Sequence, residues 1–372
     1  MKILLLGAGG FIGVNLTERL LKDGVHHVTA VDIHEEKIQH ILADSKLRYL
    51  HLDISADEAK IEAEVANADV VVDLVAFANP ALYVTDPVGV FDLNFTQNMK
   101  VVQQCLRHKK RLIQFSTCEV YGITAARAFG LDSKDHPCPF NEDETPLIMG
   151  PIKNQRWIYA CAKQLLERVL HGYRIRDDFN YSIIRPFNFI GPRIDFLPTE
   201  EGGGNPRVFS HFMDALLYGT KPMQLVDGGN VFRAYTYIDD AVDCIVRVIQ
   251  DKNNNCNGEI FNVGKPDNEI TIRELAEKMR SIFDEHFRVD SDPPPPDIVD
   301  VSSEEFYGPG YEDCDRRIAD ITKARSIVGW EQQYEIDEVI YNTMEYFVDR
   351  HREAHPPSEI TSEHEPARAV SS

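Results

Sequence analysis

Lys2-Ile-Leu-Leu-Leu6-Gly7-Ala-Gly-Gly10-Phe-Ile-Gly13 is the stretch from which the fold can be read. Ile3 to Leu6 form the unbroken apolar run of a strand buried on both faces. Glycines at 7, 10 and 13 follow at once, with Gly9 beside them, and a helical pattern runs from Phe11 to Lys22. Strand, glycine turn and helix in that order let the backbone approach a pyrophosphate at a helix N-terminus, which is how a dinucleotide site is built. The Gly-x-x-Gly-x-x-Gly spacing differs from the Gly-x-Gly-x-x-Gly of ordinary Rossmann dehydrogenases.

Outward from this stretch the strand rhythm repeats. His27 to Val31 is a second strand ending in Asp32, an acid that accepts hydrogen bonds from the adenosine ribose and repels a 2′-phosphate, so NAD is expected over NADP. Leu50 to Ile54 repeats the pattern, with Asp53 either facing the adenine amine or capping a helix. Asp69 to Leu74 and Arg111 to Phe115 are the fourth and fifth strands, with a long helix from Val88 to Leu106 between them. After the fourth strand, Val75-Ala-Phe-Ala-Asn79 has small residues beside which a cofactor can lie. A sixth strand from Tyr181 stops at Pro186. The expected fold is α/β: a Rossmann-like doubly wound parallel sheet with a smaller C-terminal α/β substrate-binding lobe. Residues 1–190 are expected to form the NAD-binding core. Residues 191–350 form mainly the lobe, with some elements returning to the core, and 351–372 a disordered tail. Ala125 to Gly150 reads as an insertion or lid.

Composition narrows the function. No apolar run in the 372 residues approaches the ~18 to 20 needed to span a bilayer, and no signal peptide precedes the glycine turn, so the expected compartment is the cytoplasm. A net charge of −21 argues against nucleic acid or an anionic membrane as partner, and requires that any anionic ligand be met by locally placed arginines. Seven scattered cysteines without a Cys-x-x-Cys pair suggest neither a disulfide framework nor a metal site.

Two stretches carry chemistry. Ser116-Thr-Cys-Glu-Val-Tyr-Gly122 sits at the carboxyl end of the fifth strand, where open parallel sheets bind ligands. Tyr159-Ala-Cys-Ala-Lys163 puts a phenol and an ammonium on one helical face, where the cation lowers the tyrosine pKa toward general-base use.

Together, Gly7/Gly10/Gly13, Asp32, Thr117 and Tyr159-x-x-x-Lys163 resemble the extended short-chain dehydrogenase/reductase family of nucleotide-sugar epimerases, dehydratases and decarboxylases, from Met1 to about residue 350. Residues 116–122, 150–164, 185–193, 227–229 and 310–317 are similar to the decarboxylase domain of bifunctional polymyxin-resistance enzymes and to plant UDP-apiose/UDP-xylose synthases. The resemblance implies oxidation of UDP-glucuronate at C4 with NAD, loss of CO2, and release of UDP-4-keto-pentose, UDP-xylose or both. It implies cofactor contacts from Gly7, Gly10, Phe11, Ile12, Gly13, Asp32, Asp53, Ile54, Leu74, Ala76, Tyr159 and Lys163. Thr117 would bind the 4-hydroxyl and Tyr159 take its proton, while Lys163 holds the nicotinamide ribose and lowers the Tyr159 pKa. Glu119 and Arg317 match the acid/base pair near the departing carboxylate, Cys118 the thiol of the apiose-type enzyme, and Arg156 an arginine beside the substrate. Asn188, Arg207, Arg233 and Tyr311 would lie along the UDP. A homodimer through helices at 88–106 and 156–174 is also implied.

Two departures stand out. Ala78 replaces the second cysteine of apiose-type enzymes, which counts against ring contraction, and the glycine motif opens the chain without a formyltransferase domain, so a stand-alone enzyme is expected. The alternatives are a UDP-apiose/UDP-xylose synthase, a 4-epimerase or dehydratase of another nucleotide sugar, and a non-catalytic NAD-sensing protein. Cys118 fills the position where dehydratases place aspartate, and the retained Tyr159 and Lys163 argue against a non-catalytic role.

Overall fold

The computed structural model describes residues 1–200, 207–307 and 312–355. Six strands alternate with helices in the first half: β1 (Lys2–Leu6), β2 (His27–Asp32), β3 (Leu47–His51), β4 (Val70–Asp73), β5 (Arg111–Phe115) and β6 (Tyr181–Pro186). Short strands β7 (Phe189–Ile190), β8 (Met223–Val226), β9 (Phe232–Ala234) and β10 (Thr236–Tyr237) follow, then β11 (Ile260–Val263). The central sheet has seven parallel strands in the order β11-β6-β5-β4-β1-β2-β3. Chain order reverses between β1 and β4, and the crevice at the carboxyl ends of those strands is the ligand position of such a sheet. Ile3 to Leu6 and Val70 to Val72 are buried, as a parallel sheet covered on both faces requires.

β11 was not foreseen. It is four residues long, contains the polar Asn262, and owes its strand conformation to pairing with β6, a long-range contact that local pattern does not encode. It returns to the core sheet from beyond residue 190, as does the helix Ile238–Ile249, whose buried face joins the same core as the helix Phe11–Lys22. The lobe is walled by three two-stranded pairs: β10 with β7, β12 (Glu269–Thr271) with β9, and β13 (Ile298–Val301) with β8. The last helix, Ile336–Ala354, runs past residue 350, where the tail was expected to begin. His351 packs edge-on against Tyr218 at 4.8 Å between ring centroids, which gives that extra turn a tertiary partner.

The expected helix from Val88 to Leu106 forms in three parts: α-helical Pro87–Phe91, a π-helical turn Asp92–Gln97, and α-helical Asn98–Arg107. On this helix the Asn94 side chain donates to the Phe77 carbonyl at 3.2 Å and Asn98 to the Val75 carbonyl at 3.3 Å. The small-residue loop after β4 is thereby tied down, which is the kind of local service π-turns perform near functional sites.

Behind the site, Arg185 of β6 makes two hydrogen bonds to Glu167, at 3.0 and 2.6 Å, and one to the Tyr121 hydroxyl at 2.7 Å, all buried. This pair locks the helix Ile158–Asp177 onto β6. Glu167→Ala leaves a buried guanidinium without its counter-ion and is expected to cost about 3 to 5 kcal/mol. A lowered urea midpoint at unchanged slope is the measurement; an unchanged midpoint contradicts it.

Candidate active site

The glycine turn is shaped by close packing. Gly7 has φ +83, and a Cβ on Gly13 would meet the Gly7 carbonyl oxygen at 2.3 Å, so helix and turn touch where any side chain would intrude. A Cβ on Gly9 would lie 2.0 Å from the His34 carbonyl oxygen. Asp32, at the end of β2, accepts from the Gly9 amide at 2.8 Å and from the His34 amide at 2.9 Å, which fixes its carboxylate beside the turn. These residues fit NAD: amides free at the first turn of the Phe11–Lys22 helix for a pyrophosphate, and an acid at the ribose position. Ile54 is buried in the core, and the Leu74 amide donates to the Leu6 carbonyl at 2.9 Å, continuing the β4 pairing with β1. Asp53 is not the helix cap, since Asp57 precedes the helix Glu58–Asn67; its Oδ1 instead accepts from the Ser55 amide at 2.7 Å.

Thr117 and Tyr159 come together. Thr117 ends the extended run after β5 and caps the short helical turn Cys118–Tyr121, its Oγ1 accepting from the Glu119 amide at 3.2 Å. Tyr159 begins the helix Ile158–Asp177, buried and stacked on Tyr83 with ring centroids 4.9 Å apart. Ala76 packs against this aromatic pair. The phenol is pushed well above its usual pKa by burial and then by the negative charge of Glu119, with the Thr117 hydrogen bond and Arg156 opposing.

In this arrangement burial and the charge of Glu119 outweigh any lowering by Lys163, so the Tyr159 phenol stands above its usual pKa. Lys163 is buried, and its Nζ donates to the Phe115 carbonyl at 3.1 Å. Burial brings its own pKa down to about 8, while Asp73 and Glu167 favour the charged form.

A cluster of arginines fills the other side. Arg156 clamps Glu119 with two hydrogen bonds, at 2.5 and 2.7 Å. Arg317 approaches Glu119 at 3.7 Å and bonds Asp313 at 2.5 Å; Arg233 bonds the second Asp313 oxygen at 2.5 Å, and Arg156 lies 3.7 Å from Asp313. Burial pushes Glu119 up, but Arg156 and Arg317 outweigh it and hold the carboxyl below its ordinary range, so Glu119 is ionised. Cys118 is buried, and that burial pushes its thiol up to about 11, so it carries its proton at neutral pH. Arg316 belongs elsewhere, paired with Glu269 at 2.5 and 2.8 Å.

These arginines and acids line a cavity of about 690 Å³ together with Asn188 and Arg207. Asn188, with φ +42, donates to the Ala234 carbonyl at 3.2 Å. Arg207 pairs with Asp195 at 2.8 Å and lies over the Phe11 ring at 5.4 Å, at the seam between glycine turn and lobe. Ile12 is half-buried against the core below that seam. Tyr311 lies outside the described residues. Sequence reasoning missed Asp313 and Tyr83. Asp313 was one acid in an acid-rich stretch, and only the meeting of two distant arginines, Arg156 and Arg233, with Arg317 four residues on singles it out; Tyr83 carried no local signal.

Comparison with known proteins agrees with this geometry. The NAD dependent epimerase/dehydratase family matches residues 3–264. The chain is 40% identical over 367 residues to the UDP-D-apiose/UDP-D-xylose synthase of Oryza sativa subsp. japonica, covering 95% of this chain and 91% of that protein. It is 40% identical over 361 residues to UDP-D-apiose/UDP-D-xylose synthase 1 of Arabidopsis thaliana, covering 93% and 91%. The crystal structure of the PbgP3 protein from Burkholderia pseudomallei superposes with a TM-score of 0.79 at 32% identity, covering 95% of this chain and 98% of that one. The chain belongs to the NAD dependent epimerase/dehydratase family.

Proposed function

We propose that the protein is an NAD-dependent UDP-glucuronate decarboxylase giving UDP-4-keto-pentose, UDP-xylose or both. The observation that carries this reading is the charge of the arginine cluster. Among the described residues, Arg156, Arg233 and Arg317 meet on one cavity wall close to Tyr159, and a hexuronate carboxylate is the part of such a substrate that guanidiniums bind bidentately. Similarity to UDP-apiose/UDP-xylose synthases at 40% identity over nearly the whole chain supports the same substrate class.

Bound NAD supplies a hydride acceptor for C4. The chain supplies the rest: Tyr159 takes the 4-hydroxyl proton, and Thr117 holds the 4-oxygen. Burial and Glu119 grip the Tyr159 proton, so its loss requires added positive charge. Lys163, one helical turn away, is the chain's own cation for this once its bond to Phe115 is exchanged. The C4 ketone is β to the carboxylate, and CO2 leaves as the C5–C6 electron pair enters an enolate. Glu119 is already ionised, so the Cys118 thiol is the better proton donor to C5. Formation of UDP-apiose is the second reading, favoured by the names of the relatives and by Cys118; Ala78 on the cavity wall speaks against it.

An apolar face supports the reading of a homodimer: Val88 and Phe91 on one helix, and Leu165 on the neighbouring Ile158–Asp177 helix, are all exposed. No described helix is long and apolar enough to cross a membrane. Seven unpaired cysteines support the cytoplasm as the compartment.

With UDP-glucuronate and NAD, the purified protein is expected to release CO2 and give pentose products resolvable by NMR; no CO2 release refutes the decarboxylase. Tyr159→Phe is expected to lower kcat about 10²- to 10⁴-fold at near-unchanged KM, and full activity in that variant would move the base elsewhere. Light scattering is expected to give twice the 42.3 kDa chain mass, and a monomer would contradict the dimer.

A further inference from the structure

The arginine cluster meets a difficulty if it only binds. Guanidiniums that hold a carboxylate tightly oppose its departure as neutral CO2, because binding the ground state more strongly than the transition state slows the step. Asp313 bears on this difficulty. Its two oxygens each take a different arginine, Arg317 and Arg233, both at 2.5 Å, with Arg156 at 3.7 Å from the first. It lies on the cavity wall with all three arginines, and the arginines are buried.

We propose that Asp313 is a stand-in carboxylate: it yields part of the Arg156/Arg233/Arg317 cluster to the substrate's carboxylate and takes it back as that group leaves. The inference rests on the decarboxylase reading above and deepens it. In the balanced step, the C5–C6 bond breaks, its electron pair enters the enolate of the C4 ketone, C6 departs as CO2, and C5 then gains a proton. The arginines lose an anion at that moment. A carboxylate of the chain already within hydrogen-bond reach restores the pairing as the bond breaks, an interaction stronger in the transition state than in the bound complex. Asp313 is therefore a positioning residue acting through the arginines, not on the sugar. Burial pushes its acid up, but the three arginines outweigh this and hold it ionised, so it is available as an anion throughout.

The test separates binding from turnover in Asp313→Asn and Asp313→Glu. Titration calorimetry with UDP-glucuronate and with UDP-glucose, which lacks the carboxylate, reads the competition; kcat and KM for CO2 release read the step. Asp313→Asn is expected to bind UDP-glucuronate about tenfold more tightly, with UDP-glucose unchanged, and to release CO2 about tenfold more slowly. Asp313→Glu keeps the charge and is expected to keep both values within about threefold. Equal weakening of both ligands in either variant, or an Asp313→Asn enzyme with wild-type kcat and KM, overturns the proposal while leaving the decarboxylase intact. A wild-type protein that releases no CO2 from UDP-glucuronate overturns both.

Discussion

The clamp between Arg156 and Glu119 is the interaction on which the site depends. It joins two segments 37 residues apart in the chain: the turn after β5 that carries Thr117 and Cys118, and the start of the helix that carries Tyr159 and Lys163. Arg156 is buried and also lies over the Tyr83 ring at 5.0 Å, so its guanidinium is held in plane by the aromatic face and in direction by the carboxylate. Removing such a pair from water is costly, and two hydrogen bonds between matching planar groups are what offset the cost. Arg156 thus sets the distance between hydroxyl-binding and proton-abstracting groups before any ligand arrives, the kind of preorganisation that positions reacting groups.

The same clamp decides which groups carry protons. Two cations near Glu119 make it a fixed anion, and that anion helps raise the Tyr159 phenol. Cys118, flanked by Glu119 and facing Arg317, keeps its proton chiefly because it is buried. Acid and base are therefore assigned by environment, since a carboxyl between arginines is pushed down and a buried thiol pushed up, which widens the usual gap between them.

Much of this was legible in the sequence because it is local. The apolar run Ile3 to Leu6, the glycines after it and Asp32 lie within one strand–turn–helix unit, and the first six strands fell within a few residues of their predicted limits. Thr117 meets Tyr159, and Arg317 lies 3.7 Å from Glu119. What escaped is what distance along the chain conceals. β11 exists through its register with β6, the π-turn through its ties to the Val75 to Phe77 carbonyls, and Asp313 gains meaning from arginines at 156, 233 and 317. Helical spacing likewise predicts which face Tyr159 and Lys163 share, but not the burial and the Glu119 charge that hold the phenol up, nor the Phe115 carbonyl that accepts from the ammonium.

The proposed substrate carries a diphosphate and a carboxylate, and a protein of net charge −21 must attract it at short range. The overall field repels an anion, and salt screens it beyond roughly 8 Å at physiological strength. Attraction therefore comes from contact with guanidiniums in a buried wall, where the effective dielectric is low and screening weak. The acids beside the arginines are part of this solution. Without Glu119 and Asp313, three buried positive charges would repel one another and destabilise the fold; with them, the guanidiniums stand in fixed positions on the cavity wall, ready for a ligand carboxylate.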